Sequence, residues 1–155
     1  MKNLIYKKNK YILITIGLLG LIPYGLPLIE KNGLIVFFEI NILDLTILYG
    51  ITILCFLSGI YWGLSINITI KNYSKLNYLL PVLSIIPFTF AIIAITVSNY
   101  LNIIFLVVGF LICQILDEIL FRYKVYFNWY ILLRRFLTVV VVTFMIYYYI
   151  NLSDV

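Results

Sequence analysis

The side chains able to do chemistry fall in two places. Asp117 and Glu118 stand side by side near the end of one long apolar stretch, and Arg134 and Arg135 stand side by side near the start of the next. An acid inside an apolar segment is costly to bury and pairs or faces a cavity. The spacing predicts an Asp117–Arg134 ion pair across a helical hairpin, fixing the fold at the membrane surface. The other chemistry open to these residues is a proton or ligand site at Asp117. With no second buried acid and no histidine anywhere in the chain, a proton relay has little to work with. Gly109, Cys113, Gln114 and Asp117 share one side of their helix and give it a modestly polar face.

The second place is the run from Tyr49 to Ser65. At helical spacing Thr52, Cys55, Gly59 and Gly63 lie within about 80° of one another. Gly59 and Gly63 form a small-xxx-small pattern that lets another backbone approach closely. Ser58, Trp62 and Ser65 flank that stripe. Two readings follow, a tight helix–helix seam or a small polar-lined pocket with Trp62 as its platform.

The elements that must position these residues follow from composition. The 155 residues are 65% apolar and 11% charged, with a mean hydropathy of +1.13. Soluble domains are nearer half apolar and a quarter charged, and a chain this short has too little interior to hide the excess. A soluble globular enzyme is excluded. Without histidine there is no imidazole base and no imidazole metal ligand. Cys55 and Cys113 are far apart within apolar runs, which excludes a disulfide framework and a clustered zinc site. No cofactor is expected.

Five apolar stretches are each near the ~20 residues needed to cross a bilayer: about 11–29, 45–66, 78–97, 101–121 and 131–150. They are too long and too evenly apolar for barrel strands, so a single-domain, all-α bundle of five transmembrane helices is expected. The first stretch follows a basic segment as a signal peptide would. It leads into Pro23-Tyr24-Gly25-Leu26-Pro27 rather than a small-x-small cleavage site, and is read as a retained helix. Pro23 and Pro27 there, and Pro81 and Pro87 around Ser84, are expected to kink their helices, as packing features or as the lining of a site. Residues 33–38 are apolar but too short to span and would rest at the interface or fold back over the bundle. Asp44, just before the second stretch, is expected to cap its helix.

The net charge of +5 reads as topology. Lys2, Lys7, Lys8, Lys10, Lys71, Lys75, Arg122, Lys124, Arg134 and Arg135 fall on one side of a five-span arrangement, and Lys31 alone on the other. The positive-inside rule then places the N-terminus inside and the C-terminus outside. Trp129, Tyr130, Tyr123, Tyr126 and Tyr147–Tyr149 sit near helix ends as an aromatic belt, so stacking on nucleic acid is not expected. The basic segments would meet anionic headgroups of the lipid bilayer. The glycosylation-like triplets at Asn67, Asn72 and Asn151 are of the number chance gives in an Asn-rich chain.

These residues resemble a known family. The run Tyr49-Gly50 through Leu57-Ser58-Gly59-Ile60-Tyr61-Trp62-Gly63 is similar to the signature of the domain-of-unknown-function 3429 family, which includes bacterial inner-membrane proteins and the mitochondrial transmembrane protein 69 group. Gly17-Leu-Leu-Gly20-Leu-Ile-Pro23 resembles its first helix, Ser84-Ile-Ile-Pro87 its third, and Trp129-Tyr130 with Leu133-Arg134 and Leu137-Thr138 its closing motif. Asp117 stands where the family has an acid. Tyr61 stands where the family has a variable polar residue, usually basic or His. Order and spacing agree over roughly residues 17–140. The resemblance implies a small multi-helix membrane protein and brings no activity with it.

The expected function is a non-enzymatic assembly or interaction component of a bacterial inner membrane, or alternatively of a mitochondrial one, that meets a membrane protein partner. The alternative is a small transporter or channel with a polar site around Ser58, Trp62, Ser65 and Asp117. An enzyme acting on lipid is third, since it would lack a histidine and a buried acid pair.

Overall fold

A long apolar run satisfies its backbone within hydrocarbon only by closing its own helical hydrogen bonds. The computed structural model, which describes residues 2–31, 41–67, 74–97 and 101–153, is helical along most of those segments. The helices are α1 (Lys2–Leu19), α2 (Ile22–Lys31), α3 (Ile42–Asn67), α4 (Ser74–Thr96), α5 (Leu101–Arg122) and α6 (Asn128–Ser153). Together they supply five stretches long and apolar enough to cross a membrane, with α1 and α2 forming the first. The apolar segment 33–38 lies outside the described residues.

The first stretch is not the single helix expected. It breaks at Gly20-Leu21. Pro23 has no N–H to continue the ladder and sits in the first turn of α2, where that loss costs least. The chain tightens across the break, with Leu21 N–H donating to Leu18 O at 3.0 Å and Tyr24 N–H to Leu21 O at 3.1 Å. Hydroxyls from neighbouring helices satisfy carbonyls in and just past the break: Tyr49 donates to Gly20 O at 3.1 Å, Thr46 to Pro23 O at 3.1 Å, and Tyr148 to Tyr24 O.

The start of α3 also differs from expectation. Asn41, not Asp44, is the cap: its side-chain oxygen accepts the Leu43 N–H at 3.0 Å, and Asp44 falls inside the first turn. Pro81 and Pro87 lie within an unbroken α4. Pro87 leaves the Leu83 carbonyl without its helical donor, and the adjacent Ser84 carbonyl accepts the Ser58 hydroxyl from α3.

Each helix from α3 to α6 packs on the next, α3 also meets α5, and α1 rests chiefly on α6. The core runs through Leu54, Leu106, Phe110, Cys113 and Met145. Gly109 is the tightest contact, since a Cβ there would lie 2.7 Å from Leu54 Cδ1 and 3.3 Å from Phe90 Cβ. The outward surface is apolar as well, with Phe56 and Val139 each 65% exposed. Such a surface suits hydrocarbon and would drive association in water.

Candidate functional site

The polar residues of α5 and α6 converge at one end of the bundle. Asp117 lies five residues before the end of α5 and Arg134 six after the start of α6, roughly 8–9 Å from the helix ends at 1.5 Å per residue. Arg134 Nε donates to Asp117 Oδ2 at 2.7 Å, and Asp117 is 1% exposed. From α3 the Tyr61 hydroxyl sits 2.9 Å from Asp117 Oδ1 and 3.0 Å from the Cys113 carbonyl, its one proton shared between them. Tyr126, from the loop before α6, faces the same carboxylate with its hydroxyl buried and short of hydrogen-bond contact. Burial raises the Tyr126 hydroxyl above the usual tyrosine range, so it stays protonated.

One helical step away, Glu118 and Arg135 form a bidentate pair at 2.6 and 2.7 Å, and Gln114 donates to Glu118 at 3.0 Å. This pair is part-exposed, with side-chain exposures of 32% and 47%. The loop joining α5 to α6 closes in a Schellman turn, in which Val125 N–H reaches Leu120 O at 3.0 Å and Lys124 N–H reaches Phe121 O at 2.9 Å. Lys124 takes the left-handed conformation, φ 58°, where glycine is favoured. At the same end the Lys10 ammonium lies 5.8 Å from the Trp129 ring centre.

The structure divides the candidate residues of the sequence. Asp117 and Arg134 are paired. Ser58 is buried and bonded to α4. Ser65 donates back to Trp62 O within its own helix, and Trp62 is 51% exposed. Ser58 and Ser65 thus spend their hydroxyl protons on helix carbonyls rather than on Asp117. Among the described residues a Cβ at Gly59 or Gly63 meets nothing within 4 Å, so neither makes a close helix contact there. Close helix contacts fall instead at Gly17, Gly50 and Gly109.

Tyr61 and Tyr126 complete the buried cluster and were not singled out as site residues by spacing. Tyr61's place in the polar position of the resembled motif was the available signal. Among the described residues no three Cys, Asp or Glu side chains gather as a metal site requires. Chemically the cluster is an acid neutralised by an arginine and further held by a phenol, a constellation suited to tying three helices together.

No curated protein and no solved structure matches the chain. Residues 10–150 match the family model described as protein of unknown function (DUF3429), and the chain, with its ordered glycine, proline, acid and closing Trp-Tyr motifs, belongs to that family.

Proposed function

We propose that this protein is a non-enzymatic component of a bacterial inner membrane, oriented with its N-terminus inside, that works by docking a helix of a membrane protein partner. One observation carries the reading. Thr52, Phe56, Gly59, Gly63 and Ile66 follow one another at alternating steps of four and three along α3, and every one is exposed or half-exposed. That is the spacing of a helix-packing seam. Its centre is the open backbone at Gly59, with Trp62 beside it.

The alternative chemistry at Asp117 has less support, since its carboxylate is already held by Arg134 and Tyr61. The orientation is supported by Lys10, Arg122, Lys124 and Arg135 lying toward one end of the bundle, with Lys10 beside Trp129.

The test is native electrophoresis of the full chain extracted in mild detergent, with mass spectrometry of the band. The wild type is expected to run in a complex with a second membrane protein. Gly59→Leu should release the 18.1 kDa chain without lowering its melting temperature, because a Cβ at Gly59 meets nothing within 4 Å and leucine is the better helix former. A monodisperse wild-type monomer, a band holding only copies of this chain, or a complex intact in Gly59→Leu would overturn the reading.

A further inference from the structure

A cavity of about 230 Å³ lies beneath the break between α1 and α2. Its walls are largely apolar and aromatic, with Tyr24, Tyr49 and Phe110 among them, and the first two rings meet edge to face at 5.5 Å. Ile16 on its rim is 60% exposed and lies within the first stretch able to cross a membrane, so in a bilayer the mouth would open to lipid rather than to water. Among the described residues Arg134 is the one charged side chain on its wall. While Arg134 Nε is engaged by Asp117, its Nη2 is buried with no hydrogen-bond partner among the described residues. A buried guanidinium N–H without an acceptor is unusual.

These two observations, a lipid-facing cavity and an unmatched donor on a residue lining it, together specify a ligand. It must carry an acceptor oxygen. It should be uncharged, because Asp117 already neutralises Arg134 and a second buried anion would have no counter-charge. It must be dissolved in the membrane, because the mouth faces hydrocarbon. Size narrows it further: an apolar cavity of about 150 Å³ holds benzene. A substituted six-membered ring fits here, and a two-chained lipid does not fit whole.

We infer that this cavity binds an uncharged carbonyl group on an apolar body, a quinone-type ring being favoured by the aromatic walls, with Arg134 Nη2 donating to the carbonyl oxygen. The same carbonyl chemistry is presented by the acyl ester of a lipid, of which one chain end would enter. This site is distinct from the docking row of α3 and stands or falls without it.

The test uses the full chain in nanodiscs of ether-linked phospholipid, which carry no ester carbonyl. A short-tailed 1,4-benzoquinone and a diacylglycerol are titrated separately, and the unfolding midpoint is followed. The quinone is expected to raise the midpoint saturably. Arg134→Lys, which keeps a cation for Asp117 and removes Nη2, should weaken that binding at least tenfold. Ile53→Phe, which fills the cavity from α3, should abolish it, and the part-exposed Arg135→Lys should bind as the wild type does. Saturable binding of diacylglycerol in place of the quinone, with the same variant pattern, assigns the site to a lipid ester. No saturable binding of either probe overturns the inference. So does wild-type binding by Ile53→Phe, which remains decisive even where Arg134→Lys fails to fold.

Discussion

Asp117 and Arg134 form a buried pair whose members depend on each other. Removing one leaves the other charge uncompensated, at a cost of about 3–5 kcal/mol, whereas replacing both with apolar groups is often tolerated. Asp117→Asn should therefore lower the melting temperature and the yield sharply, and Asp117→Leu with Arg134→Met should recover most of the loss. A double-mutant cycle of Asp117→Leu, Arg134→Met and their combination, followed by thermal unfolding in detergent, measures this, and additive single effects would contradict the pairing. The exposed Glu118–Arg135 pair should behave differently, with Glu118→Gln leaving the midpoint nearly unchanged. Lys124 carries a backbone cost of about 1–2 kcal/mol in its left-handed conformation, so Lys124→Gly should stabilise the chain by about 1 kcal/mol. The ion pair was legible in the sequence because charges are scarce within apolar stretches and these four stand in matching positions. Tyr61 and Tyr126 were not, because a chain with 14 tyrosines gives no single one a distinctive setting.

At the scale of the element, α3 and α5 show why the right helices were legible and their inner faces were not. Apolar length marks a helix that can span. A helix that is apolar on every side carries no stripe to say which face is inward. The Gly59/Gly63 pattern suggested the packed face of α3, yet the close contacts fall at Gly50 and, on α5, at Gly109. Gly109→Ala should therefore destabilise by about 1–3 kcal/mol through overpacking against Leu54 and Phe90, while Gly59→Ala should not destabilise the isolated chain. Equal midpoints for the two variants in thermal unfolding would contradict the packing described. The break at Gly20-Leu21 was foreshadowed only by Pro23. What settles it is tertiary: Tyr148 and Tyr49 reach its carbonyls from helices distant in sequence. Tyr148→Phe should cost about 1 kcal/mol, and a midpoint equal to wild type would show that the capping bond contributes nothing.

At the scale of the molecule, the five spanning stretches and the charge pattern carry one consequence. Five crossings, as proposed, would put the two ends of the chain on opposite sides of the membrane. On the proposed orientation, ten of the 11 cations would face the same compartment. Lys10 meets Trp129 at the end of the bundle where Arg122 and Lys124 emerge, the clustering that the proposed orientation requires. The family match over residues 10–150 runs from the first of these stretches almost to the end of the last. The topology is tested most directly by paired fusions after Lys124 and after Val155, each carrying either a fluorescent protein that matures only in the cytoplasm or a phosphatase active only outside it. The fusion after Lys124 should fluoresce and lack phosphatase activity, and the fusion after Val155 should be dark and phosphatase-active. Fluorescence from both positions would contradict the five-crossing topology.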